Sequence, residues 1–153
     1  MTGRRGMSEQ TTRPAYTKPL ADLRPEGEPF WAGTREHKLL LPAGPDGTPF
    51  WYPRAYAPGT LEPVTWIEAA GTGTIYTYSV HHIGPSKAYK GDPPHTVALV
   101  DLDEGVRMMS NIVKDEAPDY PSIDPEDVSI GMRVRVVFHD VTDEITLPKF
   151  VPA

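Results

Sequence analysis

The hydrophobic pattern of this chain changes near residue 64. Before it, apolar residues come in short clusters, LLL at 39–41 and FWY at 50–52, broken by proline and glycine as in PDG at 45–47. After it, β-branched and aromatic residues alternate with polar ones, the period-2 signature of strands with one buried face.

Five such stretches are predicted: residues 72–82 (TGTIYTYSVHH), 96–102 (TVALVDL), 106–113 (VRMMSNIV), 133–139 (RVRVVFH) and 145–151. The second and third flank Asp103-Glu104-Gly105, a hairpin turn, and residues 140–144 join the last two. In the first strand the alternation places Tyr76, Tyr78, Val80 and His82 on one face, and Ile75, Thr77, Ser79 and His81 on the other. Asp124-Pro125-Glu126-Asp127, within an acidic connection, predicts the start of a helical turn. Five strands with one helical turn predict a small barrel of OB-fold type over residues 64–153, because closure removes exposed edges.

Upstream, residues 25–38 (PEGEPFWAGTREHK) predict a short helix, with Pro29, Glu26 and Glu28 at its positive end and His37 and Lys38 at its negative end. Residues 39–63 predict a hairpin in which 39–41 faces 50–52 across Pro45-Asp46-Gly47. That unit is too small to bury a core and must lean on the barrel. Residues 1–24 are polar and aperiodic, a flexible basic leader from which Tyr16 and Leu20 dock on the body; Met7 is a second candidate start.

Composition narrows the chemistry. The chain has 153 residues, 18 prolines, 13 glycines and no cysteine. The last fact removes disulfides, thiolate metal sites and a cysteine nucleophile. The formal charge is −6, with +3 over residues 1–18 and −9 over the rest. An acidic body opposes nucleic-acid binding, which draws its affinity from phosphate neutralisation. No apolar run approaches a membrane span, and the expected location is the cytoplasm.

Several segments taken in order resemble the DUF35 family: residues 25–41 with Phe30-Trp31, then Pro49-Phe50-Trp51-Tyr52-Pro53-Arg54, then 99–105 (LVDLDEG), Ile130-Gly131-Met132 and the ending 142–150. The resemblance implies an OB-fold, acyl-CoA-associated protein with a rubredoxin-like zinc ribbon ahead of the barrel. The implied ligand positions are Ala43, Asp46, Ala57 and Thr60, none of which carries a thiol. The expectation is therefore a degenerate, metal-free ribbon spanning residues 25–63 together with the helix. Phe50, Trp51 and Tyr52 and the prolines around them would take the place of zinc.

Among residues weighed for chemistry, His81 and His82 are adjacent on a strand and point to opposite faces, one inward and one to the surface. His37, His95 and His139 stand in separate segments without metal-ligand spacing. Ser79, Ser110 and Ser129 lack a nucleophile-elbow context, and the acidic clusters fall in turns. Arg107, Arg133 and Arg135 are expected as surface partners on strands. The loop of residues 81–95 concentrates Lys87, Lys90, three histidines and Tyr89 against Asp92 alone. Two readings stay open for it: a solvated hairpin tip, or a cationic loop in which His82, Lys87 and Lys90 meet the phosphates of coenzyme A and Tyr89 lies on the adenine. The set Phe30, Trp31, Phe50, Trp51, Tyr52 and Arg54 is read either as packing against the barrel or as a partner interface.

The function implied by the resemblance is that of a non-catalytic, acyl-CoA-associated subunit of a hetero-oligomer. Its companion would be a thiolase-like enzyme of the lipid-transfer thiolase and aldolase type, acting on CoA thioesters in lipid or steroid side-chain degradation. No catalytic residue and no zinc are assigned to the chain, and a CoA thioester shared with the companion is its one expected ligand. Alternatives are an accessory subunit of a MaoC-type enoyl-CoA hydratase, or a single-stranded nucleic-acid-binding module with Tyr76, Tyr78 and Tyr89 as stacking platforms.

Overall fold

A computed structural model describes residues 16–153; most of the expected leader, residues 1–15, lies outside the described residues. Five strands form a closed barrel: β3 (Thr72–His81), β4 (His95–Leu102), β5 (Arg107–Ile112), β6 (Arg133–Asp140) and β7 (Thr146–Pro152), in the order β3-β4-β5-β7-β6. All neighbours are antiparallel except β5 and β7, which are parallel and share the single register pair Ile112↔Phe150. This is the OB-fold predicted from the alternation, and each strand lies within one or two residues of its expected place. The predicted helical turn is a single 3-10 turn, Pro125–Asp127.

The inward faces meet in a core centred on Phe150, Ile75, Ile112, Val100 and Val134, none more than 1% exposed. Each such side chain contributes on the order of 2 kcal/mol by leaving water. Gly105, at φ 93°, closes the β4–β5 turn, with Leu102 and Val106 bonded across it. At Gly73 the β3 backbone runs so close to the carbonyl of Asp101 that a Cβ would stand 2.6 Å from it. A glycine is required there.

One expected face is corrected. The register of β3 against β4 shifts between Ile75 and Thr77, a bulge that leaves Tyr76 unpaired. Strict alternation would put Tyr78 opposite Ile75. The extra residue instead turns Tyr78 toward the core alongside Ile75 and leaves Tyr76 half exposed, with the Arg107 guanidinium 3.4 Å above its ring. His81 and His82 are also corrected: both are exposed, His81 ending β3 opposite His95 at the rim of the barrel and His82 following it.

Upstream of the barrel, a 3-10 turn (Pro25–Gly27) leads into α1 (Glu28–Arg35). The helix stops three residues short of the prediction. The amides of His37 and Lys38 bond back to the carbonyls of Thr34 and Gly33, and His37 takes φ 58°. This is a Schellman stop with histidine at the left-handed position. His37 is held there by a parallel stack on Phe138, with centroids 5.3 Å apart, and by Asp140 at 3.1 Å.

The hairpin that follows keeps its expected turn but changes partner. β1 (Leu40–Ala43) pairs with β2 (Thr65–Glu68), not with residues 50–52. Pro49 and Pro53 flank those residues and lack amide donors, so the segment ties to β1 only through the Ala43↔Pro49 bridge and the Phe50 amide on the Pro42 carbonyl (2.9 Å). Thr65–Glu68 has no proline and supplies the ladder.

Candidate functional site

The single parallel pair between β5 and β7 leaves the two strands divergent upstream of Ile112↔Phe150. Ser110 bridges the gap by donating its hydroxyl to the Pro148 carbonyl (2.8 Å). Two cavities open along this seam and share Met109, Ser110, Asn111 and Lys149.

The first, about 490 Å3, is apolar: Phe30 and Trp31 of α1 and Trp51 and Tyr52 of the following loop face Met108 and Leu147 of the barrel. Phe30 is buried and meets Trp31 and Trp51 edge-on at 5.1 and 5.0 Å. The Trp51 indole nitrogen is buried and has no acceptor among the described residues, an orphan donor that a hydrogen bond would stabilise.

The second cavity, about 960 Å3, is walled by rings and cations. The segment from Tyr16 to Lys18 forms one side, the 81–95 loop another, and Tyr120, His139 and Lys149 the floor. Tyr120 stacks on His139 at 4.2 Å, Tyr16 meets His139 edge-on at 6.1 Å, and Tyr89 and His81 both stack near His95. The Lys149 ammonium lies 2.9 Å from His139 Nδ1. Burial, with the Lys18 charge adding to it, brings Lys149 down to about 8. Lys18 moves the other way, raised chiefly by its hydrogen bond to Asp92 at 2.9 Å. Burial first, then His81, lowers His95, which favours a neutral imidazole. Burial raises both Tyr16 and Tyr120, keeping the phenols neutral. The cavity thus sets Tyr16, Tyr89, Tyr120, His95 and His139 around two lysines, with Asp92, Asp119 and Asp140 also in its lining, an arrangement suited to a flat ligand.

Of the loop residues expected at a ligand, Tyr89 lines this cavity, whereas His82, Lys87 and Lys90 are exposed and do not line it. Of the expected interface set, Phe30 is buried, Trp31, Phe50 and Trp51 are half-buried, and Tyr52 (59%) and Arg54 are exposed. Tyr76, Tyr78 and Tyr89 share no face: Tyr76 lies under Arg107, Tyr78 packs on the core and Tyr89 lines the cavity. Arg107 and Arg133 pair with Asp101 and Asp103 as surface partners. Lys149, His139, Tyr120 and Lys18 were not singled out from sequence. The available signal was a lone lysine inside the apolar run Leu147-Pro148-Lys149-Phe150-Val151. Its neighbour His139 follows only from register: Val137 faces Lys149, so His139 is the diagonal residue on the same side.

The four positions implied as metal ligands lie in two turns that meet where Gly44 approaches Ala57. Ala43 and Ala57 are buried methyls. Asp46 accepts the Thr48 amide and hydroxyl (3.0 and 2.9 Å), and Thr60 donates to the Ala57 carbonyl (3.1 Å). Two methyls, a hydroxyl and a carboxylate already holding a turn do not fit tetrahedral zinc.

Comparison with known proteins gives four matches. Residues 66–139 match the family model described as the ChsH2 C-terminal OB-fold domain. The chain is 37% identical over 78 residues (51% of its length, 49% of the relative) to a DUF35 domain-containing scaffold protein of Methanocaldococcus jannaschii. It is 32% identical over 115 residues (74% of its length, 34% of the relative) to the 3-oxo-4,17-pregnadiene-20-carboxyl-CoA hydratase alpha subunit of Mycobacterium tuberculosis. The chain spans about half or less of the length of the curated relatives it matches. Among solved structures it is similar to a chain of the Ltp2-ChsH2(DUF35) aldolase, with a TM-score of 0.72 and 29% identity over 87% of this chain and 98% of that one.

Proposed function

This chain belongs to the DUF35 family of OB-fold proteins, and from that premise we propose that it is an acyl-CoA-associated partner subunit of a thiolase-like enzyme acting on CoA thioesters. The observation that carries the reading is the likeness, nearly end to end of the matched chain, to the DUF35 component of an aldolase. The site is in keeping with it. The half-buried Trp31 and Trp51 and the exposed Tyr52 give the apolar rim the composition of a face that a partner would cover. The ring-and-lysine cavity suits the nucleotide end of a CoA thioester, with Tyr89 on the base and the exposed His82, Lys87 and Lys90 on the same loop. The companion supplies the catalytic thiolate, which a chain without cysteine does not hold. The ribbon works without metal, its two turns held by Asp46 and Thr60. The reading puts the chain in steroid or other lipid side-chain breakdown, supported by the name of the pregnadiene-carboxyl-CoA relative, with the cytoplasm as its expected location.

A second reading, an accessory subunit of a hydratase, is favoured by the names of two relatives. The matched part covers only 24% and 34% of them, so most of each named subunit lies outside the match. Purification of the full chain with its companion from the native host, followed by reconstitution, separates the two. The expected result is a thiolase-like companion whose carbon–carbon cleavage of a CoA thioester needs both chains, and whose affinity falls at least about tenfold with Trp51→Ala plus Tyr52→Ala. A hydratase companion, or full turnover by this chain alone, overturns the reading.

A further inference from the structure

Lys149 is set apart from the other lysines of the chain by its surroundings. Lys38, Lys87, Lys90 and Lys114 are exposed, and Lys18, half-buried in the second cavity, is paired with Asp92. Lys149 lies on β7 between Pro148 and Phe150, half-buried, and lines both cavities of the seam. Among the described residues its polar partner is an imidazole, His139 Nδ1 at 2.9 Å, and not a carboxylate. The ring of Tyr120 lies 5.8 Å from Nζ and stacks on that imidazole, which fixes its plane. A half-buried amine hydrogen-bonded to an imidazole and open to a cavity is the arrangement of an amine nucleophile, not of a structural ion pair.

We propose that Lys149 is an acyl-acceptor site, its Nζ taking an acyl group from a thioester that enters the cavity. The ammonium first releases a proton through His139 to solvent. The free amine attacks the thioester carbonyl carbon, a C–N bond forms and the C–S bond breaks. The second nitrogen proton leaves with the sulfur as thiol, and the product is a neutral amide on Lys149. No oxidant or reductant is involved. Acylation removes the cation shared by the two cavities and fills part of the seam, so the modified chain presents a different floor to any later ligand. The identity of the acyl donor rests on the thioester reading proposed above; the reactivity of the amine does not.

His139 Nδ1 and the Tyr120 ring stand nearest Nζ, and the other titratable groups lining the same cavity are Tyr16, Lys18, Tyr89, Asp92, His95, Asp119 and Asp140. With Nζ lowered to about 8 by burial and Lys18, about half of it is free amine at pH 8. An ordinary lysine near 10.4 holds well under ~1%. Its lower basicity returns part of that gain, leaving a rate advantage of about tenfold.

The test exposes the full chain at pH 8 to S-acetyl-N-acetylcysteamine, a thioester without a nucleotide, and in parallel to acetyl-CoA, with site-by-site mass spectrometry over time. Lys149 is expected to acetylate about tenfold faster than Lys38, Lys87, Lys90 and Lys114. Its rate should level off above pH 9 while theirs keep rising. Labelling of Lys149 no faster than the exposed lysines with either donor overturns the proposal. His139→Phe keeps a ring against Tyr120 but removes the base, and should slow Lys149 several-fold; an unchanged rate overturns the part given to His139. Failure here alongside a reconstituted two-chain enzyme sinks this inference alone, whereas selective labelling by the nucleotide-free donor stands even if no thiolase-like companion is found.

Discussion

The barrel and the unit ahead of it reach order by different physics. The barrel is written in period-2 alternation: β3 to β7 turn Ile75, Val100, Ile112, Val134 and Phe150 inward, and ladders join all neighbours except β5 and β7, which share one register pair. The helix-and-hairpin unit has one short two-stranded ladder, and its buried Phe30, Leu39 and Leu41 join the barrel's core instead of forming one of their own. It is held by short-range devices, namely the Schellman stop at His37, the Asp46 and Thr60 turns and the prolines, and by Phe30 and Trp51 pressed against the barrel. A cooperative core is disabled by one large cavity, whereas a docked unit loosens locally. The first cavity lies where the two meet, whereas the second is lined by the barrel, its loops and residues 16–18.

The largest expected effect tests the barrel half of that contrast. Phe150 is fully buried and carries the single β5–β7 register pair. Phe150→Ala should lower global stability by about 3–5 kcal/mol, read as a shift of the denaturant midpoint with unchanged slope. Loss confined to the seam, with β3 and β4 amides still fully protected from exchange, would contradict a barrel that unfolds as one unit.

The next effect lies at the seam and has the opposite sign. Lys149 carries a charge in a half-buried position, and its amine is lowered from 10.5 to about 8 mainly by burial. The unfolded chain therefore binds a proton more tightly between these values, and the parent protein gains stability as pH rises through that window. Lys149→Met removes the buried charge at nearly constant volume. It should stabilise the fold by about 1–3 kcal/mol below pH 8, with the difference vanishing above pH 10.5. A difference that does not change with pH would mean that packing, not burial of charge, sets the effect.

How much of this was legible in the chain follows the same division. Alternation placed all five barrel strands, and Asp103-Glu104-Gly105 and Asp124-Pro125-Glu126 placed their turns, because period and turn chemistry are local signals. It failed at Tyr76, where a bulge inserts one residue and swaps the faces beyond it. It paired 39–41 with 50–52 because contiguity suggested a hairpin, whereas proline flanks denied that segment a ladder. The cavity was the least legible part. Tyr89 was singled out, but Lys149 and His139 meet across a β6–β7 register that no local pattern specifies. Tyr16 and Lys18 join them from more than a hundred residues away in sequence.

The smallest expected effect completes the comparison from the side of the docked unit. Thr60 ties its turn twice, donating to the Ala57 carbonyl at 3.1 Å and accepting the Glu62 amide at 3.1 Å. Thr60→Val keeps the branched shape and removes both bonds, for an expected loss of about 0.5–1 kcal/mol. If the unit opens on its own, that loss appears as faster exchange of the Glu62 and Ala57 amides, while barrel amides and the global unfolding midpoint stay put. If the barrel amides accelerate by the same factor, the two regions open together. The aromatic contacts of Phe30 and Trp51 would then couple them into one cooperative body, and the contrast between a core that folds and a unit that docks would fail.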